Sequence, residues 1–164
     1  MKTTNILYGS TTGNTERAAK QIAALLNGKA IAIRNAQAAD FEADLLILGT
    51  STWGIGDLQD DWSAELGKLQ TASLKGRTVA LFGLGDQSSF SSSYLDGLGT
   101  LYDAVVAGGA HVIGTWPIEG YRYSESQAVR NGAFVGLALD DDNEASLTPQ
   151  RIAAWCDVLR GFLS

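Results

Sequence analysis

The sequence predicts an α/β domain built on one doubly wound, five-stranded parallel sheet, and three observations point there. Short apolar runs alternate along the chain with stretches of helical periodicity. The runs lack polar alternation, as in Asp44–Gly49 (DLLILG), so each strand is covered on both faces. Several runs end in turns rich in Gly, Ser and Thr, at the strand ends where such sheets bind ligands. Five units fit one domain spanning residues 1–164.

Each element has its own signal. Asn5–Tyr8 is an apolar run stopped by Gly9, a buried strand. From Asn14, apolar residues fall at Ala18, Ala19, Ile22, Ala23, Leu25 and Leu26, and Asn27-Gly28 closes the helix. Ala30–Ile33 reads as a short second strand, and Asp40-Phe41 opens a brief turn or short helix. Asp44–Gly49 is the third strand and Asp61–Leu69 (DWSAELGKL) a helix. Thr78–Phe82 (TVALF) is the fourth strand. Tyr94–Ala107 is a helix ended by Gly108-Gly109. His111–Trp116 is the fifth strand. Pro117–Asp142 breaks the rhythm and reads as an insertion in that strand, returning as Phe134–Leu139. Pro149–Leu163 is the last helix, with Thr148 as N-cap and Pro149 at N1.

Composition narrows the function. With 45% apolar and 18% charged residues the chain is an ordinary globular one, and its net charge of −6 argues against nucleic acid or an anionic membrane as partner. A basic protein suits it better. The single cysteine, Cys156, forms no internal disulfide, suits the cytosol and reads as a buried apolar residue. "MKTTN" leads directly into a strand, so no signal peptide is expected, and no apolar run is long enough to span a membrane. The only histidine, His111, falls at the end of a strand away from the ligand loops, and no metal-ligand set or catalytic triad is present.

Three turns should converge. The first, "GSTTGNT", sets Ser10, Thr11, Thr12, Gly13, Asn14 and Thr15 at the mouth of a helix, whose unpaired N–H groups and dipole favour an anion. Arg17 is the nearest cation, and there is no phosphate-loop lysine, so one phosphate on neutral donors fits; a well-furnished N-cap is the alternative. In the second, "STWGIG", Trp53 is either a platform for a planar ligand or a loop-packing residue, and Gly54 lets the Gly54–Ile55 peptide rotate cheaply. The third, "GLGDQSSF", offers N–H groups at Gly85 and Asp86; Phe90 either covers a second ligand face or packs locally.

Together these turns resemble the flavodoxins, small electron-transfer proteins that carry FMN. "GSTTGNT" is similar to their phosphate loop, "STWGIGDLQDDW" and "LFGLGDQ" to their two flavin loops, and "GYRYSESQAVRNGAFVGLALDDDNEASLTPQRI" to the late segment of the long-chain type. The resemblance implies the strand order 2-1-3-4-5, for which flavodoxin with FMN at its switch point is itself a standard example. It implies that Ser10, Thr11, Thr12, Asn14 and Thr15 hold the phosphate, with Gly13 giving clearance and Thr52 nearby. Trp53 would cover the inner flavin face, and Gly54, Ile55 and Gly56 would form the turn that responds to reduction. Leu84, Gly85 and Asp86 would serve the pyrimidine edge, and Asp142 the ribityl chain. The family usually stacks a tyrosine on the outer face. That position falls at Phe90 here, and the nearest tyrosine, Tyr94, reads as core.

The implied function is a low-potential one-electron carrier, not an enzyme, that shuttles FMN between semiquinone and hydroquinone. Asp57, Asp60, Asp61, Glu65 and Asp86 would disfavour a reduced anion and steer redox partners with basic docking faces toward a monomer; a solvated helix face is the plainer reading of these acids. No Lys or Arg occurs from Asn35 to Gly67. An FMN-dependent quinone or flavin reductase on the same fold is the alternative. A receiver domain is excluded, because Gly9-Ser10 and Gly49-Thr50 stand where its acidic residues belong.

Overall fold

The computed structural model describes residues 2–164. Its elements are β1 (Thr4–Tyr8), α1 (Asn14–Leu26), β2 (Lys29–Ala32), β3 (Leu45–Trp53), β4 (Asp57–Leu58), α2 (Asp60–Thr71), β5 (Thr78–Leu84), α3 (Asp96–Ala107), β6 (His111–Ile113), β7 (Trp116–Pro117), β8 (Val129–Arg130), β9 (Ala133–Phe134), β10 (Leu137–Leu139) and α4 (Thr148–Leu163). A short 3₁₀ helix, Ala38–Glu42, precedes β3.

The apolar runs explain the layers. Side chains alternate along a strand, so each run feeds two cores. Leu7, Leu46, Leu48, Val79 and Leu81 enter the core that holds Trp62, Leu98 and Leu101 of α2 and α3. Ile6, Tyr8, Leu45, Ile47, Ala80 and Phe82 enter the opposite one, with Ile22 of α1 and Trp155 of α4. Cys156 is fully buried in the second core, which pushes its thiol up to about 11.

The main sheet runs β2-β1-β3-β5, all parallel, and β5 is paired beyond that by two strands in succession. β6 pairs Thr78–Ala80 and β10 pairs Phe82–Leu84, both parallel. Between them the chain builds a three-stranded antiparallel sheet, β7-β9-β8. The order 2-1-3-4-5 is thus present, with the fifth position shared by two segments.

Several boundaries differ from the sequence expectation. The fifth strand ends at Ile113, not Trp116, because Gly114 turns at φ 81° and Trp116 pairs with Phe134 in the small sheet. For the same reason Phe134 is not in the returning strand, which starts at Leu137. β3 continues past Gly49 to Trp53, since Thr50 and Ser51 still pair with β5 and Trp53 pairs with Asp57. Tyr94 precedes α3 rather than starting it. Thr148 is the first residue of α4, with Leu147 at the N-cap; its hydroxyl donates to Asp141.

One side chain anchors the sheet to α2. Trp62 is fully buried, and its Nε1–H donates to the Gly49 carbonyl at 2.8 Å. Replacing it with Ala removes a large side chain and strands that carbonyl. Trp62→Ala should cost about 3–5 kcal/mol in urea unfolding of the apo chain. A loss under about 1 kcal/mol would contradict this packing.

Candidate functional site

The predicted turns meet at the carboxyl ends of β1, β3 and β5, around a cleft of about 470 Å³. That lies in the usual range of ligand pockets, roughly 300–1,000 Å³. Thr12, Asn14, Thr15, Thr52, Trp53, Gly54, Leu84, Gly85, Asp86, Phe90 and Asp142 line it, together with Ser51 and Asp141, which sequence reasoning did not single out. Ser10, Thr11, Gly13, Ile55 and Gly56 do not line the cleft, and they shape the turns around it.

The first turn is assembled from behind. Ser10 Oγ accepts the Gly13 N–H at 3.1 Å, and Gly13, the residue before α1, sits at φ 95°. No side chain caps the helix, so its first N–H groups are left without intrahelical partners. Arg17 is engaged locally, donating to Asn14 Oδ1. The turn is also tied to its neighbour. Gln59, only 1% exposed, donates from Nε2 to Thr11 Oγ1 at 3.0 Å and accepts the Trp62 N–H at 3.2 Å. A side chain at Gly9 would put its Cβ 2.1 Å from Gln59 Oε1 and 2.7 Å from the Trp62 ring, so glycine is required there.

The second turn is the tight end of the β3–β4 hairpin. Gly54 and Gly56 sit at φ 52° and 86°, conformations that cost glycine little. Trp53 is 40% exposed, and its Nε1–H donates to Ser51 Oγ at 2.9 Å, which holds the ring beside the cleft. Ile55 at the tip is 84% exposed. Thr52 Oγ1 accepts the Gly97 N–H at the start of α3, at 2.9 Å.

The third turn is organised by Asp86. Its Oδ1 accepts the N–H of Ser88 at 3.1 Å, the N–H of Ser89 at 2.9 Å and Asn143 Nδ2 at 2.8 Å. Burial raises its pKa, but these bonds, Ser89 first, outweigh burial and leave the carboxyl below the ordinary carboxylate value. The Gly85 N–H is not free for a ligand as expected. It donates to the Leu139 carbonyl at 3.1 Å, whereas the Asp86 N–H has no partner among the described residues. Phe90 is 41% exposed at the cleft, while Tyr94 is buried, stacked with Tyr123 and bonded to the Leu139 carbonyl at 3.1 Å. Phe90 is therefore the aromatic at this wall.

The charge around the cleft is one-sided. Burial, then the Asp86, Asp140 and Asp141 charges, hold the Asp142 carboxyl above its ordinary value. Two acids of the expected rim are compensated: Glu65 pairs with Lys68 at 3.3 Å, and Asp61 lies 3.9 Å from Arg34. Asp57 and Asp60 have no ion pair among the described residues, and those residues contain no metal-binding group of His, Cys, Asp and Glu. No described helix is long and apolar enough to cross a membrane.

Known proteins share this arrangement. A sequence model of the flavodoxin family matches residues 6–155. The flavodoxin of Synechococcus elongatus is 42% identical over 160 residues, covering 94% of each chain. That of Enterobacter agglomerans is 43% identical over 98% of each. The crystal structure of Fusobacterium nucleatum flavodoxin bound to flavin mononucleotide aligns with a TM-score of 0.92 at 35% identity, over 98% of each chain. With its parallel sheet, its three converging turns and these matches, the chain belongs to the flavodoxin family.

Proposed function

We propose that the chain acts as one FMN-binding domain that carries single electrons at low potential between redox proteins, with FMN in the cleft. The observation that best supports this is the donor set. Neutral hydroxyl and N–H donors stand at the mouth of α1, two part-exposed aromatic rings flank the opening, and carboxylates form the remaining wall. No Lys or Arg lines the cleft among the described residues. That suits one phosphate held by a helix N-terminus, not a polyphosphate with its metal.

Bound there, FMN supplies one-electron redox chemistry. The chain supplies the rest. Thr12, Asn14 and Thr15 take the phosphate, and Ser10, Thr11 and Gly13 hold that turn in shape. Asp142 accepts hydroxyls of the ribityl chain. Trp53 and Phe90 cover the two ring faces, and the Asp86 N–H, with the backbone at Leu84 and Gly85, serves the pyrimidine edge. The carbonyl of Gly54, in the Gly54–Ile55 peptide, would accept a hydrogen bond from a ring N–H of the flavin, a bond worth about 0.5–1.5 kcal/mol. Gly56 closes that turn.

Asp57, Asp60, Asp86, Asp141 and Asp142 disfavour further negative charge on the ring, which keeps the last electron at low potential. The same carboxylates surround exposed Trp53, Ile55 and Phe90, a rim that suits a redox partner with a basic docking face. Docking by this rim needs one copy of the chain, and the lone buried Cys156 suits the cytosol.

Stepwise reduction of the FMN-loaded chain, followed by visible spectroscopy, tests the carrier reading: a one-electron-reduced form should accumulate, and direct two-electron bleaching would refute it. Trp53→Ala should weaken FMN binding about tenfold or more, through lost stacking and buried area; titration of the apo chain by flavin fluorescence measures it, and wild-type affinity would remove Trp53 from the site. Gly54→Val places a β-branched residue at φ 52°. It should lower the yield of the one-electron form in the same titration, and an unchanged yield would show that this peptide does not respond to reduction.

A further inference from the structure

We propose that Gln87 is a positioning residue for the flavin, clasping the two loops that carry Asp86 and Asp142; this rests on the reading of the cleft as an FMN site. Gln87 does not line the cleft, and it is 4% exposed. It follows Asp86 directly, and it joins three segments that are distant in sequence. Its backbone N–H donates to Asp140 Oδ2 at 3.1 Å. Its Nε2 donates to Glu144 Oε1 at 2.7 Å. Its Oε1 accepts the backbone N–H of Arg122, in the excursion between β6 and β10.

Asp140 is the other half of the clasp. It is fully buried, with no ion pair among the described residues. Backbone and amide donors satisfy it instead. Oδ1 accepts the N–H of Asp142 at 3.1 Å and of Asn143 at 3.0 Å, and Oδ2 accepts Asn143 Nδ2 at 2.9 Å besides the Gln87 N–H. The same Asn143 amide reaches Asp86 Oδ1. Asp142 is therefore fixed by its own N–H on Asp140, and Asp86 by Asn143 and by its chain neighbour Gln87.

The chemistry demands a carboxamide at position 87. One group must present a donor to a carboxylate and an acceptor to an N–H; an ionised Glu has no donor, Met has no donor and only a weak acceptor, and Leu has neither. The clasp is backed by charge. Glu144 Oε1 lies 3.1 Å from Arg151 Nη1, and that guanidinium covers the Tyr121 ring at 4.4 Å. No hydrogen bond among the described residues joins Gln87, Asp140, Asn143 or Glu144 to the α1 turn, so loss of the clasp should spare the phosphate end of the cleft more than the ring and ribityl end.

The test uses Gln87→Met and three probes on the apo chain: FMN, riboflavin and inorganic phosphate. FMN and riboflavin affinity should both fall by about tenfold, as for two lost buried hydrogen bonds, with phosphate affinity unchanged. Wild-type affinity for both flavins would overturn the proposal. So would a parallel fall in phosphate affinity, which signals general loss of the fold. Should Gln87→Met not fold, Glu144→Ala, at a side chain only 25% exposed, removes one arm of the clasp. It should give the same selective loss at about threefold, and unchanged riboflavin binding would overturn the role. If the wild-type chain itself takes up no FMN, the reading of the cleft fails first, and that result is separate from any difference between variants.

Discussion

A parallel sheet packed on both faces leaves its polar chemistry only one outlet, the rim where the strands end. Every other feature of this chain follows from that constraint. Ile6, Ile47 and Phe82 turn to one core and Leu7, Leu48 and Leu81 to the other, so no strand interior has room for a charged or ligand-binding side chain. Close packing is severe enough to dictate glycine within the sheet as well. A Cβ at Gly49 would come within 2.0 Å of the Phe82 ring on the neighbouring strand. The turns at the rim inherit positions fixed by that packing.

What then makes three separate turns into one site is a small number of buried, mostly neutral hydrogen bonds between them. Gln59 ties the first turn to the start of α2, Thr52 ties the second to α3, and Gln87 with Asp140 ties the third to the loop after β10. Such bonds contribute about 1 kcal/mol each to stability, but their larger effect is geometric. Groups that will meet a ligand are held before it arrives, and the cost of ordering them is met on folding rather than on binding. The exposed acids of the rim do a different job. They act at a distance, and with Glu65 and Asp61 already paired, the unpaired charge is concentrated close to Trp53 and Phe90.

The fold and the lining of the cleft were largely legible in the sequence because their signals are local. Glycine and hydroxyl residues at strand ends, and unbroken apolar runs such as DLLILG, mark themselves without reference to any partner. The errors lie where the deciding contact is remote. Trp116 looks like a continuation of His111–Ile113 until Phe134 draws it into another sheet. Gly85 looks like a ligand donor until Leu139, more than fifty residues on, takes its N–H. Gln59, Gln87 and Asp140 carry no local mark at all, since a glutamine ahead of a helix or an aspartate in an acidic run is ordinary on a surface. Only their burial reveals them.

The shared fifth position of the sheet has an architectural corollary. Ile113 pairs opposite Ala80 and Leu137 opposite Phe82, so only the register slot opposite Leu81 separates the outgoing chain from the returning one. Gly136 occupies that slot, so near the Leu81 carbonyl that a Cβ would lie 2.0 Å from it. Splicing Ile113 directly to Gly136 would thus restore an uninterrupted edge strand in the same register. The intervening segment is a graft that the sheet does not need for continuity. Through Arg122 its backbone reaches the loops beside the cleft, and through Ala128, Phe134 and Val135 it fills the core on the α2–α3 face, so its removal would be felt at the rim and in that core rather than in the continuity of the strand.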